Sequence, residues 1–312
     1  MSPSAPVSLK PAGAARRRYL YERIIKVILA AAAGLTVLIT LMIVLSLAKP
    51  AISFFGHIGL GKFFGGTKWS PLFNPPRYGV WPIVVGTLWD SAIALLVAIP
   101  LGIGAAFYLA EYARPRVRNI LKPVLEVLAG VPTVVFGFFA LTFVNPNLVK
   151  KFWPIGEVGA QSVLTAGLVT GIMILPTVAS LAEDAMSAVP QALRDGALAV
   201  GSAKREVCTK VVLPAALSGI AAAVVLAGSR AIGETTIALI AAGSKPTLSA
   251  NPGEGAQTMA GFIGFAGTGG EMTVGSVGYN TIFGVGSLLF VITLVLNFVS
   301  IRVVRRFRQA YE

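Results

Sequence analysis

The chain has 312 residues, of which 12% are charged and 55% hydrophobic, and its mean hydropathy is +0.78. A soluble globular domain carries about 25% charged residues, so this composition excludes a disordered or collagen-like chain and most soluble enzymes, and points to an all-α polytopic membrane protein. Lys and Arg outnumber Asp and Glu by 26 to 13; the single cysteine (Cys208) and single histidine (His57) exclude a disulfide framework and any metal or haem site built on several such ligands.

Residues 1–22 open with a Pro/Ala/Ser-rich run and read as a disordered tail, leaving 23–312 as one membrane domain. The first apolar stretch runs from Ile24 to Leu47. Basic residues precede it and Ser46-Leu47-Ala48 looks like a cleavage site, but a signal core spans only about 7–15 residues. Its length predicts a retained membrane helix, which needs about 20 apolar residues. In the loop that follows, Gly56-His-Ile-Gly-Leu-Gly61-Lys62-Phe63 nearly matches a nucleotide-binding P-loop. Phe63 stands where a hydroxyl should ligate magnesium and no strand precedes it, so the match is set aside. His57 is expected in an exposed loop.

The second span, Trp81–Leu109, contains Asp90, which is either a capped or snorkelling acid or a pathway group. The third, Pro123–Val144, begins near Glu126, which is expected to pair with Arg116, Arg118 or Lys122. Pro132 with Gly130 and Gly137 marks a candidate gate hinge there. The fourth, Ser162–Leu181, carries Gly167 and Gly171 at a spacing suited to close helix packing.

Residues 182–213 form the longest inner loop. Met186, Val189, Leu193, Ala197 and Val200 recur at helical spacing, so the loop reads as two amphipathic helices, Val189–Val200 and Ala203–Val212, broken at Gly201-Ser202. Such a loop packs on a partner or lies on the bilayer. Cys208 is expected as a loop thiol. The fifth span, Pro214–Ala242, holds Arg230 and, one turn later, Glu234. An intramembrane Arg costs about 2.5–3.5 kcal/mol on insertion scales, which leaves two readings: a buried ion pair that fixes packing, or a pathway-lining face to which Thr235 also belongs. The sixth span, Thr281–Val304, ends with Arg302.

Placing the N-terminus inside puts 18 of the 26 positive residues in inner segments and 7 in outer ones, with Arg230 alone inside a span. That asymmetry is a positive-inside signal for cytoplasmic termini and accounts for the basicity without nucleic acid.

The run Asp195-Gly196-Ala197, three residues, Gly201, nine residues, Val211-Val212-Leu213-Pro214 resembles the coupling motif of bacterial ABC importer permeases, with Asp195, Gly196 and Val211 as conservative departures. The runs Tyr108-Leu-Ala-Glu-Tyr112, Leu128–Leu141 and Ser229-Arg-Ala-Ile-Gly-Glu-Thr235 are similar to segments of phosphate-importer permeases. Thr67–Phe73 and Tyr78–Trp81 resemble the PstC-type subunit rather than its PstA-type partner. The resemblance covers residues 20–308. It implies a six-helix permease subunit of the cytoplasmic (inner) membrane that passes inorganic phosphate at Arg230 and does no covalent chemistry. Its implied partners are a PstA-type permease, two ATP-binding subunits engaged by Asp195–Gly201, and a periplasmic or surface phosphate-binding protein. No cofactor is implied beyond ATP on the partner subunits. A PstA-like role, or sulfate or molybdate as cargo, is the alternative. An intramembrane enzyme using Asp90 or Glu234 lacks a visible nucleophile or metal cluster.

Overall fold

The computed structural model describes residues 12–154, 156–269, 273 and 275–308, in two units, one ending at Lys49 and the other beginning at Pro50. The first unit is the apolar, solvent-accessible length of helix α1 (Ala12–Ile58). Residues 1–11 of the expected tail lie outside the described residues. From Ala12 on, residues expected in the tail are helical; the run Ala14-Ala15-Arg16-Arg17-Arg18 consists of strong helix formers.

In the second unit α1 ends at Ile58, and His57 is exposed but helical, its Nδ1 2.7 Å from the Ser53 carbonyl. Gly59, at φ 75°, turns the chain into α2 (Leu60–Gly65). A two-stranded antiparallel ribbon, β1 (Trp69–Ser70) and β2 (Arg77–Tyr78), pairs Trp69 with Tyr78 and Ser70 with Arg77. Then come α3 (Trp81–Tyr112), α4 (Pro115–Ala129), α5 (Thr133–Phe152), α6 (Val163–Ser187), α7 (Gln191–Ala199), α8 (Lys204–Ile232), the short α9 (Ala238–Ala242), α10 (Met259–Thr268) and α11 (Val277–Arg308). Among the described residues six of these, α1, α3, α5, α6, α8 and α11, are long and apolar enough to cross a membrane.

Two spans depart from the sequence reading. The third begins at Thr133, not Pro123. Residues 115–129 form a separate helix that carries Arg116, Arg118, Lys122 and Glu126, charges that hydrocarbon would not accept. The chain breaks at Gly130–Pro132, because a residue before proline is driven out of the helical region. The fifth span starts inside the expected loop, at Lys204, and stops at Ile232 instead of reaching Ala242. The loop itself is as expected, α7 and the start of α8 being separated at Gly201, which sits at φ 86°.

In lipid, burying apolar side chains between helices gains little over leaving them in lipid, so association depends on close contact. α6 is the most buried span, and α3 lies parallel against it. Gly167 and Gly171 face the backbone of α3: a Cβ on Gly167 would lie 2.9 Å from the Asp90 carbonyl oxygen and 2.7 Å from Ile93 Cβ, and one on Gly171 would lie 2.9 Å from the Ala94 carbonyl oxygen. Further along, Gly102 of α3 packs on Val178 of α6. The buried face of α3 is accordingly built of small residues, among them Gly86, Ala94, Ala98, Gly102 and Ala106.

The ends at which α3 and α6 begin are tied by polar caps. Asn145 on α5 donates to the carbonyls of Gly159 and Ala160 at 3.1 and 2.6 Å and accepts from Thr165 Oγ1 at 3.0 Å, while Ser162 caps α6 at the Thr165 amide. The ten-residue α10 is too short to cross a bilayer. Thr258 caps it, and its first amide, Met259, donates to Thr87 Oγ1 on α3 at 2.8 Å. Phe54, Phe63, Trp69 and Phe262 form an edge-to-face aromatic cluster at the same end. Phe63, where a P-loop would carry a hydroxyl, is fully buried in it.

Gly167→Ala is expected to destabilise the protein by about 1–3 kcal/mol, since the added carbon meets backbone that cannot give way. Gly104→Ala, with nothing within 4 Å, should be neutral or slightly stabilising. Thermal unfolding of the two variants in the same detergent checks this; equal midpoints would refute the close-packing account.

Candidate functional site

The break in the fifth span gathers most of the sequence-predicted pathway residues. α8 ends at Ile232, and Gly233, Glu234 and Thr235 follow outside regular helix. Arg230 therefore lies in the last turn of α8, where the unsatisfied carbonyls favour a cation. Its Nη1 donates to Thr177 Oγ1 on α6 at 3.1 Å, and its side chain is exposed. Glu234 is buried, and its Oε1 accepts from the amides of Thr236 and Ile237 at 3.0 and 3.1 Å, capping the helical turn that leads into α9. Each charge thus sits at the helix end that suits it.

This arrangement lacks the one-turn ion pair that is one of the two readings of Arg230 and Glu234. Among the described residues they form no ion pair within 4.0 Å. The i,i+4 geometry requires continuous helix, and the helix stops between them. Among the described residues no acid pairs with the guanidinium fork, which lies next to a hydroxyl. Thr235 donates to the Gly233 carbonyl at 3.2 Å and packs its methyl towards Gly264 of α10.

Asp90, 2% exposed, lies on the α3 face that meets α6, with Oδ1 unpartnered among the described residues and Glu234 close enough to interact with it electrostatically. It is a buried group, not a snorkelling one. Of the candidate hinge residues, Gly130 and Pro132 lie at the α4–α5 break, whereas Gly137 lies inside α5 and packs against Ile240 of α9. No three His, Cys, Asp or Glu side chains among the described residues come together as a metal site.

A second constellation lies at the opposite ends, where α3 and α6 finish. The helix α7 carries Asp195, Gly196 and Ala197; Asp195, Gly196, Leu193, Leu198 and Val200 are exposed, and Gly196 and Gly201 meet nothing within 4 Å. The pair Leu213 and Pro214 lies within α8. The contact that fixes α7 has no signal in the local sequence. Arg194 Nε and Nη2 both donate to Glu111 Oε1, at 3.1 and 3.0 Å, and Nη2 also reaches the Met186 carbonyl at 2.8 Å. Both side chains of this pair are nearly buried. Glu111 belongs to the Tyr108–Tyr112 run at the end of α3, where Lys204 also lies 5.0 Å over the Tyr112 ring. Cys208, expected as a loop thiol, is 2% exposed and lies 3.9 Å from Glu111, because α8 already covers its position.

The charged helix α4 is clamped to the end of α6. Glu183, fully buried, accepts from Arg118, from Lys122 at 2.7 Å and from Ser187 at 2.9 Å, and Lys122 also pairs with Asp184 at 2.7 Å. Glu126 is exposed and is not the partner of these bases. Hydrogen bonds from Lys122 first to Asp184 and then to Glu183 raise its pKa above the ordinary value of 10.5.

This platform makes two behaviours measurable. Arg194→Ala should release α7 from α3 and raise maleimide labelling of Cys208 by about tenfold or more, as a loss of about 1.4 kcal/mol would; unchanged labelling would refute the clamp. The stabilisation due to Lys122, whose folded pKa is raised, is complete below the unfolded value of about 10.4 and is lost as pH climbs through the folded value. The gap in thermal midpoint between wild type and Lys122→Met should therefore be flat from pH 6 to 9 and shrink only in strong alkali.

Residues 98–312, which contain the broken span and this charged platform, match the family described as binding-protein-dependent transport system inner membrane component. The probable ABC transporter permease protein YqgH of Bacillus subtilis is 35% identical over 244 residues, covering 78% of this chain and 76% of that one. The phosphate transport system permease protein PstC 1 of Mycobacterium tuberculosis is 32% identical over 275 residues, covering 78% and 81%. Among solved structures, a bacterial ABC transporter involved in import of the polysaccharide alginate matches with a TM-score of 0.62 at 18% identity, over 92% of this chain and 99% of that one. The MetNI methionine ABC transporter in an inward-facing form matches with 0.54 at 18% identity, over 73% and 94%. At those identities the structures speak for the fold, an ABC importer permease, and the family match for the rest: this chain belongs to the inner membrane components of binding-protein-dependent transport systems.

Proposed function

We propose that the chain is the PstC-type permease subunit of an ATP-driven phosphate importer and that phosphate passes Arg230. The observation that carries this reading is the unclaimed guanidinium at the break of α8, held by Thr177 and free of Glu234. Relatives named as phosphate permeases support the choice of cargo over sulfate or molybdate and of PstC-type over PstA-type. The planar donor fork of Arg suits tetrahedral oxyanions, and the nearby Glu234 lowers the local positive potential so that the anion can be released.

In this reading residues 23–312 form the permease domain, with both termini cytoplasmic. It pairs with a PstA-type permease, two ATP-binding subunits and a phosphate-binding protein on the outer side. ATP is held by the partner subunits, and the chain itself needs no cofactor. The exposed face of α7, which carries Asp195 and Gly196 with Ala197 half-buried beside them, is the surface on which the ATP-binding subunit acts. The clamp of Arg194 on Glu111 carries that motion into α3, and the Gly130–Pro132 break lets α5 move relative to α4.

Reconstituted with its partners, the Arg230→Ala variant should lose phosphate uptake by about 10- to 100-fold, the span expected for a charge-assisted hydrogen bond of about 1.5–3 kcal/mol. Arg230→Lys, which keeps the charge but not the fork, should retain a part, and excess sulfate or molybdate should not compete. Full uptake by both variants would sink the assignment of Arg230.

A further inference from the structure

The ribbon between α1 and α3 forms, with α2, a cavity of about 730 Å³ that the transport reading does not use. Three of its lining residues are cations, Lys62, Lys68 and Arg77, and no acid lines it. Among the described residues none of the three takes part in an ion pair within 4.0 Å. Residues 62–79 lie outside the part of the chain that matches the transport family.

The frame beneath these cations is rigid. The Val80 amide donates to the Phe63 carbonyl at 3.0 Å, the Gly79 amide to the Lys68 carbonyl at 2.9 Å, and Trp81 Nε1 to the Phe64 carbonyl at 2.6 Å. Arg77 is fixed opposite Ser70 by the ribbon register. Gly66 and Gly79 cross in direct backbone contact, so that a Cβ on Gly79 would lie only 2.2 Å from the Gly66 carbonyl carbon. Phe63 and Trp69 are buried under the floor. Residues distant in sequence are thereby brought to one concavity, with their charged ends exposed on its wall.

Three like charges around one concavity repel each other, and water and salt only reduce that cost. The cost is largest when the cavity is empty and reverses sign when a polyvalent anion enters. The side chains are also of the right chemistry: one guanidinium fork and two ammonium groups, together with the Thr67 and Tyr78 hydroxyl-bearing residues of the wall, match a phosphate group. The positive-inside rule depletes outer segments of Lys and Arg, yet of the seven assigned to outer segments three converge here.

We propose that this cavity is a phosphate-group binding site on the outer face, separate from Arg230. Its placement outside rests on the proposed orientation with cytoplasmic termini; the cavity and its charge do not. Free inorganic phosphate and the phosphate headgroup of an anionic lipid share the required chemistry, since the cavity is larger than one phosphate ion and lies between the ends of two spans.

The test uses the assembled transporter with Arg230→Ala as the parent, so that the pathway residue contributes nothing. It is placed in nanodiscs of phosphatidylcholine alone or with phosphatidylglycerol, and binding of radiolabelled inorganic phosphate and retention of phosphatidylglycerol are measured. Adding Lys62→Gln, Lys68→Gln and Arg77→Gln together should weaken phosphate binding in phosphatidylcholine by about tenfold or more and flatten its salt dependence. Loss of phosphatidylglycerol retention instead, with no phosphate bound by the parent, identifies the lipid headgroup as the source. Because the three side chains are exposed, the thermal midpoint should not move. Gly79→Val, which disrupts the frame and leaves every charge in place, should weaken the same ligand. If the triple variant equals its parent in both phosphate binding and lipid retention, the proposal is overturned. A failure of Arg230 variants to affect uptake would strike the pathway reading and leave this measurement standing.

Discussion

The backbone contact between α3 and α6 is the constraint on which the rest of the molecule depends. In a bilayer two helices are held by how closely their surfaces meet, not by escape from water. Gly167 and Gly171 let α6 approach the carbonyls of Asp90 and Ala94, and Gly102 admits Val178 further along. With α3 and α6 fixed in parallel, their ends come into register. The beginning of α3 offers Thr87 to the first amide of α10. Its far end offers Glu111 to Arg194, and the corresponding end of α6 offers Glu183 and Asp184 to α4. Midway, Thr177 of α6 meets Arg230 of α8. Each of these contacts is made from one of the two helices.

A second constraint is that backbone polar groups inside a membrane need partners, so a helix breaks there only if its ends are satisfied. The break after Ile232 meets that condition with its own charged residues. Glu234 accepts two amides at the start of the following turn, and Arg230 sits among the terminal carbonyls of α8. Glu234, expensive in hydrocarbon, thereby becomes a cap, and Arg230 lies at the helix end whose dipole favours a cation. The pairing with each other, which the one-turn spacing suggests, would have required a continuous helix and would have consumed the guanidinium.

Much of this is legible in the chain. Long apolar stretches set the number of spans, and the asymmetry of Lys and Arg points to one orientation. The Asp195–Pro214 pattern locates α7 and its Gly201 turn, because glycine at positive φ and a 3.6-residue apolar period are local properties. Less legible are the ends of the third and fifth spans. Pro123 is tolerated inside α4, where charges decide the environment, and the break falls instead at Gly130–Pro132. Gly233 alone is a weak stop signal, and its effect depends on Glu234 being able to cap the next helical turn.

The number and character of the spans, the amphipathic inner loop and the set of available charges are all properties of contiguous residues, so length, period and composition settle them before any folding is considered. Which charges meet is settled only by helix packing. Arg194 and Glu111 are 83 residues apart, Lys122 and Glu183 61 apart, and Arg230 and Thr177 53 apart. Those pairings depend on the approach distance and parallel register of α3 and α6. Glycines placed opposite carbonyls fix both, and the opposing carbonyl cannot be identified until the helices are in place.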